Sequence, residues 1–142
     1  MQKLYKRKKI LHLITSLEVG GVQHGLLLGL PKLDNKKYEH AICSLTSKMP
    51  MADEFKKKNI KIFTLNINSK KDFLYSIRLR NIINNYKPDI LHTYLIHANI
   101  LGRIFGKICD VETIISSERT IGQANWYERF LTKITNFNFI TN

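Results

Sequence analysis

Three short segments hold the residues with chemistry to offer. Gly20 and Gly21 stand side by side just before a stretch that reads as a helix. Glycine carries no Cβ, so backbone amides at that helix start can approach an anionic group closely. His92 and His97 bracket the end of the apolar run PDILHTY, with Tyr94 between them. A histidine placed there orients a hydroxyl, takes its proton or pairs with a phosphate. Glu118 and Arg119 follow Ser116 and Ser117. The carboxylate suits the hydroxyls of a sugar, and the guanidinium clamps a phosphate or carboxylate through two parallel bonds. Each feature also has a plainer reading: a tight turn, a strand-end histidine bonded to backbone, a packed phenol, a solvated surface pair. VGGVQHG is neither the GxGxxG of dinucleotide binding nor a phosphate loop with its Lys and Ser/Thr.

The elements that must position these residues are read from periodicity. Short apolar runs predict strands at Ile10 to Thr15, Glu39 to Leu45, Ile60 to Leu65, Asp89 to Thr93, Glu112 to Ser116 and Asn138 to Thr141. Between them lie helical stripes: Val22 to Leu30, ended or kinked by Pro31; Tyr75, Leu79, Ile82, Ile83 and Tyr86, with Asp72 as N-cap; Leu101, Ile104, Phe105 and Ile108; and Tyr127, Phe130, Leu131 and Ile134. The last two are expected to lay those apolar faces on the sheet. The alternation predicts an α/β fold, a doubly wound parallel sheet of about six strands with helices on both faces. In such a sheet ligands bind beyond the carboxyl ends of the strands, where strand order reverses. For the order 3-2-1-4-5-6 that point lies between strands one and four. The loops Ser16 to Gly21, Tyr94 to Asn99 and Ser117 to Gln123 then share one edge.

The chain has 142 residues, 44% hydrophobic, and 23 Lys and Arg against 11 Asp and Glu give it a charge of +12. That length supports one core and excludes a disordered basic tail. No apolar run reaches the roughly 18 residues of a membrane span, and Lys3 to Lys9 leads into a strand rather than a secretory leader, so a cytoplasmic protein is expected. Cys43 and Cys109 have no nearby ligand companions, so neither a metal site nor a disulfide is expected. The basic residues cluster at Lys3, Lys6 to Lys9, at Lys56 to Lys58 with Lys61, and at Lys70 with Lys71. Without aromatic interleaving or a helix-turn-helix, nucleic acid is not the expected partner; peripheral contact with an anionic membrane surface or phosphorylated substrates is.

Taken in order, ILHLITSLEVGGVQHGLLLGLPKL, PDILHTYLIHANILGRIFGKI and TIISSERT resemble the N-terminal half of a family 4 (group 1) glycosyltransferase of the GT-B type, from about Ile10 to Asn142. The resemblance implies a Rossmann-like acceptor domain facing a second domain that grips a nucleotide sugar. It implies that Gly20 and Gly21 approach the donor diphosphate, that His92 and His97 line the cleft floor as the catalytic pair, and that Tyr94, Asn99, Glu118 and Arg119 serve the acceptor. Two positions depart from the family: Gln23, where Glu is common after the glycine pair, and Tyr94, where some members carry the histidine of the reaction centre.

The resemblance further implies a retaining transferase of hexosyltransferase type, acting from a nucleotide-sugar co-substrate on a glycan or lipid-linked acceptor in surface polysaccharide or glycoconjugate synthesis. Neither cofactor nor metal is expected. Residues 1–142 are expected to be the single acceptor domain, with the C-terminal nucleotide-sugar domain absent and the chain inactive alone. A stand-alone binding module, or one subunit of a split transferase, remains the alternative.

Overall fold

The apolar runs become strands within about two residues of their expected bounds. The structure, a computed structural model, describes residues 6–69, 72, 74–118, 126–135 and 140–141. Among them are six strands: β1 (Lys8–Ile14), β2 (Tyr38–Ser44), β3 (Lys61–Thr64), β4 (Ile90–Tyr94), β5 (Thr113–Ser117) and β6 (Ile140–Thr141). They form one parallel sheet in the order β3-β2-β1-β4-β5-β6, so strand order reverses between β1 and β4 as expected. The helices are α1 (Gly21–Gly29), α2 (Ala52–Lys57), α3 (Tyr75–Tyr86), α4 (Ile96–Ile108) and α5 (Trp126–Thr135). Pro31 lies in the 3-10 turn Leu30–Lys32 that closes α1, where its lack of an N–H costs nothing. Asp72 does not sit at the N-cap of α3, which is Leu74. It reaches the Leu74 amide from two residues away and pairs with Arg78.

Alternation along the strands sends side chains to two cores. Leu11, Leu13, Leu91 and Ile114 pack with Leu79, Ile83 and Ala98 of α3 and α4. Ile14, Ile42 and Tyr94 pack on the other face with Leu26, Leu27 and Phe55 of α1 and α2. Both cysteines are free, and burial pushes the Cys43 thiol up to about 12.

The two later stripes are corrected in part, since Leu101 and Phe105 of the first do pack against the core. Ile104 and Ile108 are exposed, and α4 instead buries Ala98, Asn99, Gly102, Arg103 and Gly106. Those residues repeat at i, i+4 and i+8, so they too share one helix face. A Cβ on Gly102 would lie 2.2 Å from the Thr93 methyl, so the glycines let the helix axis approach the sheet more closely than any larger residue permits. On α5, Phe130 and Ile134 are likewise exposed, and the side chains of Tyr127 and Leu131 lie outside the described residues.

Candidate functional site

Ser116 and Ser117 end β5 and point to opposite faces of the sheet, and each anchors a polar cluster. On the α1 and α2 face, a chain of hydrogen bonds crosses four strands. His40 Nδ1 meets His12 Nε2 at 3.0 Å, and His12 Nδ1 meets the Tyr94 hydroxyl at 3.1 Å. That hydroxyl meets His92 Nδ1 at 2.9 Å, and His92 Nε2 meets Ser117 Oγ at 2.8 Å. Strand register causes this: His12 lies directly opposite His92, and Tyr94 opposite Ser117.

Burial holds the pKa of His12 well below its ordinary value, reinforced by His92 and His40. Burial lowers His40 as well. A neutral His12 donates from one nitrogen and accepts at the other, so the chain can be polarised in two senses. In one, His92 Nε2 donates to Ser117; in the other, it accepts from it. The arrangement thereby locks the ring plane of His92 and leaves it able to shift a proton at the carboxyl end of the sheet.

On the α3 and α4 face, Thr93 Oγ1 donates to Asn99 Oδ1 at 2.7 Å, and Asn99 Nδ2 donates to the Ser117 carbonyl at 3.3 Å. Arg103 Nε donates to Ser116 Oγ at 3.1 Å. Leu95, between β4 and α4, has φ 71°, an uncommon conformation for a bulky side chain and one that stores about 1–3 kcal/mol of strain. Its amide donates to the Ser117 carbonyl, which ties the ends of β4 and β5 together.

The structure brings most of the sequence-derived candidates to one edge. Gly20 and Gly21 open α1, with no side-chain cap on its first turn. Gln23 is buried beneath them and donates to the Ser16 carbonyl at 2.9 Å, a bond a Glu carboxylate could not donate. His97 is exposed in the first turn of α4, and Glu118 is exposed at the end of β5. Two candidates lie below that edge. Asn99 is 1% exposed with its amide spent on Thr93 and Ser117, and Tyr94 is buried within the histidine chain. Both therefore brace the edge from inside. Arg119 lies outside the described residues.

Sequence reasoning passed over His12, His40 and Arg103. The signal for the first two was a histidine placed mid-run in an apolar strand. The described basic clusters do not gather here: Lys6 to Lys9 lead into β1, Lys56 to Lys58 end α2 and Lys61 opens β3, all on the amino edge. Lys3, Lys70 and Lys71 lie outside the described residues. No group of three or more His, Cys, Asp or Glu able to hold a metal occurs among the described residues.

Solved structures resemble this chain. A MurG from Acinetobacter baumannii superposes with a TM-score of 0.64 at 14% identity, over 89% of this chain and 38% of its own. A UDP-GlcNAc 2-epimerase from Neisseria meningitidis, solved with UDP-GlcNAc bound, gives 0.58 at 16% identity over 89% of this chain and 38% of its own. CalG4, the calicheamicin glycosyltransferase, gives 0.48 at 15% identity over 91% and 37%. No family model and no curated protein matches the sequence. The chain thus spans 38% of the length of the first two structures. What the likeness to the first two shows is the fold alone, a Rossmann-like α/β domain.

Proposed function

We infer that this domain is the acceptor side of a retaining glycosyltransferase of family 4 type, which moves a hexose from a nucleotide sugar to a glycan or lipid-linked acceptor. One observation carries the reading: the Gly20–Gly21 helix start, His97, Ser117 with His92, and Glu118 converge on the carboxyl edge beside the reversal of strand order. The fold supports it, and so does the epimerase neighbour with UDP-GlcNAc bound.

In this reading the first-turn amides of α1 face the donor diphosphate, where the positive end of the helix dipole stabilises the leaving group. Glu118 and His97 orient the acceptor hydroxyl against the anomeric carbon, and catalysis rests on that placement. A metal has no part in it.

The glycine pair offers a test that separates function from folding. A Cβ on Gly21 meets open space, whereas one on Gly20 falls 2.6 Å from Gln23 Oε1. In a protein that joins this domain to a nucleotide-sugar domain, Gly21→Ala should weaken donor use several-fold while leaving thermal unfolding unchanged. His97→Ala should lower turnover by about 10²-fold or more, the usual worth of a positioned acid or base. Unaltered donor KM and unaltered turnover would remove both residues from the site, and an inverted product anomer would remove the retaining assignment.

The same reading includes work at an anionic bilayer. No helix among the described residues is long and apolar enough to cross a membrane. On α5, however, Trp126, Phe130 and Ile134 repeat at i, i+4 and i+8 and are 81%, 58% and 42% exposed, with exposed Arg129 and Lys133 beside them. An apolar stripe with basic neighbours suits the plane of an anionic interface. Trp126 is the chain's single tryptophan, so its fluorescence reports on this face alone. Anionic vesicles should shift its emission to the blue, and zwitterionic vesicles should not. An equal response to both, or to neither, would argue against this surface.

A further inference from the structure

Arg103 is 1% exposed and, among the described residues, is the largest of the fully buried side chains. A guanidinium carries five N–H donors, and one of them, on Nε, is spent on Ser116 Oγ. Nη1 and Nη2 are shielded from solvent and make no hydrogen bond. The Glu118 carboxylate is ion-paired with the guanidinium, Oε1 lying 3.6 Å from Nη2, on a side chain that is 48% exposed. Burial lowers the Arg103 pKa and Glu118 opposes that shift, and the group stays charged throughout the physiological range.

The neighbouring polar side chains are engaged with one another. Asn99 Oδ1 is held by Thr93, and the Asn99 amide nitrogen is held by Ser117. Thr93 Oγ1 also reaches Ser116 Oγ at 3.1 Å. Glu118, exposed at the carboxyl edge, marks the side from which a second anion can reach the two Nη groups.

We propose that Arg103 is the floor of an oxyanion-binding site for a carboxylate or phosphate group, and that Glu118 is its gate. The planar fork of the two Nη groups matches two oxygens of either anion, and a ligand oxyanion displaces the Glu118 carboxylate into solvent. At the carboxyl edge, on the α3 and α4 face, such a site selects an acceptor that bears an acidic group. That last step rests on the glycosyltransferase reading; the anion site itself does not.

The test reads binding on the 142-residue chain with no donor and no transfer, so its failure and the failure of the transferase reading are separable. Inorganic phosphate and acetate are titrated at constant ionic strength held with chloride, following thermal unfolding. Glu118→Gln removes the competing carboxylate and should raise the affinity for at least one of the two anions about tenfold, with its unfolding temperature recovering as the anion is added. Response to phosphate alone assigns a phosphate, and response to acetate alone a carboxylate. Arg103→Lys replaces the fork with a point charge and should abolish the preference, with Arg103→Met as a second variant should the lysine disturb folding. The proposal is overturned if Glu118→Gln binds both anions no better than the parent chain, or if the folded Arg103 variants respond as the parent does.

Discussion

Replacing Gly102 by alanine should destabilise the domain by about 2 kcal/mol, which lowers the urea midpoint by roughly 1 M. The expectation runs against local propensity, because alanine in a helix interior is worth about 1 kcal/mol more than glycine. Packing decides the sign. The added methyl would lie 2.2 Å from Thr93 Cγ2 and 3.5 Å from Leu13 Cδ2. Thr93 cannot yield by rotating, because its hydroxyl is bonded to Asn99 and Ser116. The helix must lift off β4, which also pulls Arg103 from Ser116. Gly25 is the matched control, since a Cβ there meets nothing within 4 Å on the exposed side of α1. Gly25→Ala should stabilise by up to about 1 kcal/mol. Chemical denaturation of the two variants checks the contrast, and equal effects of the same sign would mean that α4 does not rest on the sheet through its glycines.

Acid sensitivity is the second large effect. His12 has a folded pKa well below 6.5, its ordinary value, because burial and the adjacent His92 and His40 disfavour the charged ring. Above pH 6.5 the ring is neutral in both states and contributes no pH dependence. Below it the unfolded chain takes up a proton that the folded chain refuses, so stability falls as pH falls, by up to about 1.4 kcal/mol per unit. His40, lowered by burial as well, adds in the same direction. Urea unfolding at about pH 7.5 and about pH 5 measures it. His12→Gln should flatten the slope, and a parent chain equally stable at both values would show that His12 is not held neutral.

Much of the architecture was legible because a parallel strand covered on both faces must be a short continuous apolar run. Such runs survive any shift of a residue or two, so the strands appear where the composition places them. Helix faces proved less readable. For α4 the visible stripe of Leu101, Ile104, Phe105 and Ile108 points partly to solvent, while the face that packs is built from Ala98, Gly102 and Gly106. A hydrophobic count rewards large residues, whereas close approach of helix to sheet is made by small ones. The edge that carries the site came from topology. Its inner supports did not: His12 and His92 lie 80 positions apart and meet only through the register of β1 with β4.

Local pattern in the chain was therefore enough for the succession of strands, the parallel sheet and the edge on which Gly20, Gly21, His92, His97 and Glu118 gather, though not for α2 (Ala52–Lys57). These depend on periodicity and on the handedness of crossovers, which each segment carries within it. Packing in three dimensions was needed to put Tyr94 and Asn99 beneath that edge, to join four rings in one hydrogen-bonded chain, and to bury Arg103 with two nitrogens unspent. Those outcomes turn on which side chains from distant segments lose water together. Desolvation is a property of the packed whole, and no window of sequence contains it.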